Sequence, residues 1–158
     1  DGKRLGLSAF VLANEADNLK YGIDVRGWVD KGLLDEVSPY VGAGGGSAKD
    51  YDLAFFADAC GKKGVPWRPS LIAWQAPTLP EMRQMAVRFY DAGADGLTFW
   101  DGNSLSTTTE KWAVVSRLGH VDELRRAVDE GLPVSTTHRI HRLGDFIMDS
   151  RYGVMWGY

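Results

Sequence analysis

Apolar and polar residues alternate along the chain in a pattern typical of an α/β protein. Four short apolar runs rich in β-forming residues occupy 4–12, 34–41, 67–74 and 96–100. Segments whose apolar residues recur three and four positions apart lie at 51–62, 79–92 and 121–130. This pattern predicts four strands and three helices. Because strands that alternate with helices pair in parallel through right-handed crossovers, we expect a parallel sheet.

The ends of the predicted helices carry capping residues. Asp50 precedes the first helix, and Thr78 with Glu81 three residues later forms a capping-box pattern before the second. Gly93 and Gly131 follow the periodic residues of the second and third helices, where glycine tolerates a left-handed cap. These residues predict where the helices begin and end.

The predicted sheet fits half of a (β/α)8 barrel better than an open nucleotide-binding sheet. No strand-to-helix turn carries a G-x-G-x-x-G fingerprint, and the glycine cluster at 42–46 lacks the lysine of a P-loop. Four strand–helix units are half of the eight in a complete barrel, which typically has about 250 residues. We therefore predict a half barrel over 1–131. Residues 132–158 would be a C-terminal tail or the start of a truncated further segment.

Charge and composition narrow the classes of partner. The chain has 18 basic and 21 acidic residues and a net charge of −3, so it lacks the basic surplus that nucleic-acid binding needs. No apolar run approaches the ~20 residues that span a bilayer. Cys60 is the single cysteine and is predicted to be a small core residue. The sequence begins at Asp1 and leaves localisation open, with export one option.

Three segments, taken in order, resemble the glycosyl-hydrolase-like proteins, a family 10-like group of uncharacterised bacterial barrels. The first, 21–35, reads YGIDVRGWVDKGLLD and is similar to the family's approach to its sixth strand. The second, 92–97, reads AGADGL and resembles the entry to the eighth strand. The third pairs Leu118-Gly119 with Leu124, as in the closing helix. The resemblance implies that the chain holds strands five to eight of the barrel of a carbohydrate-active enzyme.

In barrel enzymes the reacting groups follow the carboxyl ends of the strands. After the first strand come Asn14, Glu15 and Asp17, a mixture of amide and carboxylate groups that a sugar site needs. Glu15 and Asp17 are therefore candidate catalytic residues, and Asn14 is a candidate substrate ligand. The alternative is that these residues only cap the turn that follows.

Further candidates follow the third and fourth predicted strands. Trp74 and Trp100 could stack on sugar rings, while the side-chain amides of Gln75 and Asn103 could orient hydroxyl groups. Asp101 is the third catalytic candidate, and its alternative role is to fill a turn. The resembling family more often has an aromatic residue followed by asparagine here, so Asp101 is an additional carboxylate.

These observations predict part of a glycoside hydrolase-like barrel that acts on a poly- or oligosaccharide. A non-catalytic carbohydrate-binding barrel is the alternative, and a phosphate-handling enzyme that uses the glycine-rich loop at 42–46 ranks below it. We expect no cofactor and no metal, since His138 and His141 lack a companion carboxylate at ligand spacing. Besides the carbohydrate, we expect a second chain or a missing N-terminal half of the barrel to cover the open sheet edges.

Overall fold

A parallel pair of strands and five α-helices account for about half of the described residues. The computed structural model describes residues 5–41, 50–71, 78–99, 114–133, 142–143 and 146–147. Strands β1 (Ser8–Leu12) and β2 (Glu36–Tyr40) pair in parallel. The helices are α1 (Glu15–Lys20), α2 (Val25–Asp30), α3 (Leu53–Ala59), α4 (Leu79–Asp91) and α5 (Val121–Asp129). An antiparallel pair, β3 (Arg142–Leu143) and β4 (Phe146–Ile147), follows them.

The prediction of half a (β/α)8 barrel is wrong. The described residues contain a two-stranded parallel sheet and not four strand–helix units. The expected third and fourth strands are represented by isolated parallel bridges, one between Val37 and Trp67 and one between Ser70 and Thr98. Each segment makes several backbone hydrogen bonds to its neighbour, including Arg68 N–H to Val37 O at 2.9 Å and Leu71 N–H to Thr98 O at 2.8 Å, but forms no continuous strand among the described residues.

Prolines on both partners interrupt the hydrogen-bond ladder of the third segment, because Pro39 of β2 also lacks an N–H to donate toward it. Pro66 and Pro69 flank Trp67 and Arg68 and have no N–H to donate to a ladder. Their carbonyl groups are still used, because Val37 N–H donates to Pro66 O at 3.0 Å and Thr98 N–H donates to Pro69 O at 3.1 Å. The apolar pattern therefore identified the neighbours correctly, while the missing donors limited the pairing to bridges.

The three predicted helices are confirmed, and two helices were missed. Helices α3, α4 and α5 fall inside the segments with helical spacing. Helices α1 and α2 both lie between β1 and β2 and have six residues each. Such short helices show too little apolar periodicity to be recognised from spacing alone.

The capping predictions are confirmed in part. Thr78 N–H donates to Glu81 Oε2 at 2.9 Å, and Glu81 N–H donates to Thr78 Oγ1 at 3.3 Å, so the capping box before α4 forms. Gly93 and Gly131 have positive φ angles of 91° and 60°. The cap of α3 is not Asp50 but Asp52, whose carboxylate accepts a hydrogen bond from Phe55 N–H at 3.0 Å.

The chain divides into two compact units, and the first contains the parallel strands β1 and β2. This unit comprises Asp1–Leu71 and Arg88–Thr98. In its core the fully buried rings of Phe56 and Trp67 stack with their centroids 6.0 Å apart. Cys60 is also fully buried, and burial raises the pKa of its thiol to about 11. The prediction that Cys60 is a core residue is therefore confirmed.

The second unit comprises Ile72–Val87 and Phe99–Tyr158. Its buried apolar side chains lie on α4, on α5 and just before α5, and include Met82, Ala86, Val114, Leu118 and Leu124. Arg83 of α4 donates to the carbonyl oxygen of Leu132 at 2.7 Å. None of the helices in the described ranges combines the length and the apolar character needed to cross a membrane.

Candidate functional site

An open pocket of about 860 Å³ lies at the carboxyl ends of β1 and β2, within the first unit. Its floor is apolar and includes Leu12, Ala13 and Val41, which end the two strands. The side chains able to bind a ligand come from the same strand ends, from α1 and from the approach to α3; they are Asn14, Asp17, Lys20, Tyr21, Tyr40 and Asp50. The pocket thus combines two aromatic rings with amide, carboxylate and ammonium groups.

Asn14 both caps α1 and fixes Asp17. Its side-chain oxygen accepts a hydrogen bond from Asp17 N–H at 2.8 Å, and its amide nitrogen donates to Asp17 Oδ2 at 2.8 Å. Lys20 Nζ donates to the other carboxylate oxygen of Asp17 at 2.7 Å. The hydrogen bond from Lys20, followed by that from Asn14, lowers the pKa of Asp17. Asn14 therefore caps α1 and also lines the pocket, while its role as a substrate ligand stays a prediction.

The lowered pKa restricts the chemistry of Asp17. A carboxylate that is stabilised in its charged form stays ionised at neutral pH and cannot deliver a proton as a general acid. It remains a good acceptor for a hydroxyl group of a ligand. The ammonium group of Lys20 can donate to a ligand from the same position. The arrangement suits hydrogen bonding to a polyhydroxylated molecule, and it leaves Asp17 able to act as a general base or nucleophile but not as a general acid.

Glu15, the neighbouring catalytic candidate, does not line the pocket. Its carboxylate lies 3.4 Å from Nε of Arg26, which also donates to Asp58 Oδ2 at 2.8 Å. Arg26 lies over the ring of Phe55 as well, 5.2 Å from its centroid. Glu15 therefore belongs to an ion-pair group that joins α1, α2 and α3, and the structure separates it from the chemistry of Asp17.

A buried amide, Asn18, holds the end of β1 where the pocket begins. Asn18 is 1% exposed, and its side-chain oxygen accepts a hydrogen bond from Leu12 N–H at 2.8 Å. Its amide nitrogen donates to Leu12 O at 2.8 Å and to Asn14 O at 2.9 Å. Asn18 thus pairs with the backbone of Leu12 as a neighbouring strand would.

Tyr51 holds the end of β2 in a similar way. Its hydroxyl donates to Ser70 O at 2.6 Å and accepts from Val41 N–H at 3.3 Å. Burial raises the pKa of Tyr51, so the hydroxyl keeps its proton throughout the neutral range. Because Val41 lines the pocket and Asp50 precedes Tyr51, this contact places two neighbouring parts of the pocket wall.

The structure brings together only some of the residues predicted for the site. Asn14 and Asp17 share the pocket, and Glu15 lies outside it. The remaining candidates lie outside the described residues: Trp74, Gln75, Trp100, Asp101 and Asn103. The glycine-rich loop at 42–46 and the histidines at 138 and 141 lie outside them as well.

Sequence reasoning missed Lys20, Tyr21, Tyr40 and Asp50 as pocket residues. Tyr40 could have been predicted from the rule that sites follow the carboxyl ends of parallel strands, because it is the last residue of β2. Predicting Lys20 and Tyr21 as pocket residues would have required recognising α1. Predicting Asp50 would have required the path of the chain before α3. Tyr21 is 75% exposed, which is unusual for so large an aromatic side chain.

Comparisons with known proteins identify no family. No protein-family model matches the chain, and no curated protein matches it. Among the described residues, no group of three or more histidine, cysteine, aspartate or glutamate side chains is arranged to hold a metal ion.

Proposed function

We propose that this chain is part of a carbohydrate-active protein and that the pocket at the ends of β1 and β2 binds a poly- or oligosaccharide. The observation that carries the proposal is the exposed ring of Tyr21 beside the polar group formed by Asn14, Asp17 and Lys20. Sugar sites combine aromatic surfaces, which cover the C–H faces of a ring, with fixed donors and acceptors for the hydroxyls.

The resemblance to glycosyl-hydrolase-like proteins supports the same class of ligand independently. It rests on segments 21–35, 92–97 and 118–124, and the first of these begins at Tyr21 in the pocket wall. Within the pocket, the lowered pKa of Asp17 excludes the role of general acid and leaves those of hydrogen-bond acceptor, general base and nucleophile. A hydrolytic reaction would need its general acid elsewhere, for which Asp101 remains the candidate from the sequence.

Titration calorimetry with cellohexaose, xylohexaose and chitohexaose tests the binding proposal. We expect one of these neutral oligosaccharides to bind, and Tyr21→Ala to weaken that binding about tenfold, or ~1.4 kcal/mol. Leu19→Ala is the matched control, because Leu19 lies in α1 two residues before Tyr21, is 54% exposed and does not line the pocket. Equal effects of the two substitutions, or no binding to the unsubstituted chain, would refute the proposal.

Hydrolysis is tested separately by measuring release of reducing sugar from the same oligosaccharides. Activity that disappears in Asp101→Asn and persists in Glu15→Gln would assign catalysis to Asp101 and leave Glu15 in its ion pair. Binding without release of reducing sugar would support the non-catalytic alternative. Release that depends on Glu15 would contradict the division of roles proposed for these residues.

The partner chain expected from the sequence stays a prediction. It is supported by exposed apolar side chains in and before β1, where Leu5, Leu7 and Phe10 are 88%, 56% and 47% exposed. A second chain that packs on β1 would remove these side chains from water. Sedimentation at micromolar concentration measures the association directly, and a monomer that persists as the concentration rises would contradict it.

A further inference from the structure

Asn18 makes more hydrogen bonds to the pocket backbone than capping α1 requires. Asn14 already performs the capping, through its bond from Asp17 N–H. The side-chain oxygen of Asn18 instead accepts from Leu12 N–H at 2.8 Å. Its amide nitrogen donates to the carbonyl oxygens of Leu12 at 2.8 Å and Asn14 at 2.9 Å, in the backbone that leads into the pocket. Its burial excludes water as a substitute partner for these groups.

We propose that Asn18 is a positioning residue of the pocket, which sets the direction in which Asn14 and Asp17 are presented to a ligand. The amide fixes Leu12, the last residue of β1, and the carbonyl group of Asn14, two residues further along. Asn14 in turn fixes Asp17 through two hydrogen bonds. A displacement at Leu12 is therefore passed on to both polar side chains that face the ligand.

The proposal requires an amide and not merely a polar side chain at this position. The Leu12 N–H needs an acceptor, whereas the carbonyl groups of Leu12 and Asn14 need donors, and only an amide offers both in a planar group. Asn18→Asp keeps the acceptor and loses the donors at neutral pH. Protonation of the introduced carboxyl restores one O–H donor, so acid should rescue this variant in part.

The surroundings of the carboxyl introduced by Asn18→Asp explain why lower pH should restore the folded arrangement. Burial and two neighbouring carbonyl oxygens disfavour its charged form, which raises its folded-state pKa above the unfolded value of about 3.9. Because the pKa is raised in the folded state, the folded arrangement is favoured at a pH below the unfolded-state pKa. This advantage is lost as the pH rises through the folded-state pKa. The charged groups that line the pocket on this side, Asp17, Lys20 and Asp50, also occur in the unsubstituted chain, which is measured at each pH as the reference.

Amide NMR without any ligand tests the positioning role first. In Asn18→Ala we expect the Leu12 amide to lose its protection from exchange and the Asp17 amide resonance to shift. In Val29→Ala, a control at a 4%-exposed position of α2 outside the pocket lining, both should stay unchanged. In Asn18→Asp both signals should return toward the original ones on acidification. Unchanged Leu12 protection in Asn18→Ala, or no recovery in acid, would overturn the proposal.

Binding of cellohexaose, xylohexaose and chitohexaose then tests the consequence for the pocket, which rests on the proposed function. We expect Asn18→Ala to weaken the binding about tenfold, or ~1.4 kcal/mol, and Val29→Ala to leave it unchanged at a temperature where both are folded. If no saccharide binds the original chain, the proposed function fails while the exchange data still decide the role of Asn18. If the exchange data agree but Asn18→Ala binds as tightly as the original chain, the positioning role is refuted. Should Asn18→Ala not fold, Asn18→Asp across the acid range supplies both measurements.

Discussion

Removal of the Tyr51 hydroxyl tests whether one buried group joins the end of β2 to the segment beside it. The hydroxyl bonds to Ser70 O at 2.6 Å and to Val41 N–H at 3.3 Å, and Tyr51 is 5% exposed. Tyr51→Phe leaves the ring, which contacts Phe89 edge-on with the centroids 5.0 Å apart. The substitution therefore removes hydrogen bonding while preserving most of the packing.

The expected loss follows from the two contacts. A buried hydrogen bond contributes about 1 kcal/mol net, and a buried group that loses its partner costs ~1–3 kcal/mol. The bond from Val41 is long, so we expect the free energy of unfolding to fall by about 2 kcal/mol in total. For a chain of this size each kcal/mol corresponds to roughly 2–4 °C in Tm. The melting temperature of Tyr51→Phe should thus fall by roughly 4–8 °C.

Urea unfolding followed by tryptophan fluorescence measures the effect, because Trp67 is fully buried in the same unit. Tyr21→Phe is the matched control: it deletes the same atom from a side chain that is 75% exposed, and should change the stability by less than ~0.5 kcal/mol. If Tyr51→Phe were as stable as this control, with an unchanged denaturant slope, the two hydrogen bonds would not stabilise the fold as argued.

Three further predictions concern the surface and the core. The thiol of Cys60 should resist iodoacetamide in the native chain and react in concentrated urea, since burial raises its pKa to about 11; native labelling at the unfolded rate would contradict this. The Asp58 carboxyl should titrate in carbon-13 NMR near its pKa of about 2, which hydrogen bonds from Lys62 and then Arg26 lower, and Lys62→Met should raise that midpoint. Because the folded-state pKa of Asp58 is depressed, its ion pairs stabilise the fold at a pH above the unfolded-state pKa of about 3.9. This stabilisation is lost as the pH falls through the folded-state pKa. Thr78→Ala should destabilise α4 by about 1 kcal/mol and Thr78→Ser should restore it, as measured by thermal unfolding; equal stability of the two variants would argue against the capping box.

Local features of the sequence determined most of the helices and their ends. The spacing of apolar residues predicted α3, α4 and α5, and the bounds of α4 and α5 differ from the prediction by one residue or less. The capping box of Thr78 and Glu81 and the left-handed Gly93 and Gly131 also followed from the sequence. These features could be predicted because each depends on residues within about one turn of one another.

The candidate site was predictable only where it follows a strand directly. Asn14 and Asp17 come just after an apolar run, so the rule for strand ends found them. The same rule also selected Glu15, but the tertiary structure pairs it with Arg26, eleven positions away. Which of three neighbouring polar residues faces the pocket thus depended on partners contributed by other helices.

Tertiary structure alone decided how far the sheet extends and what holds the pocket in place. Apolar runs identified four segments that run side by side, yet the missing N–H groups of Pro39, Pro66 and Pro69 interrupt the ladder along the third. The roles of Asn18 and Tyr51 likewise depend on backbone groups that only the folded chain brings within reach, since Tyr51 bonds to Ser70, nineteen positions away. Sequence by itself determines local conformation through short-range sterics and capping, whereas pairing and positioning depend on which donors and acceptors meet after the chain has folded.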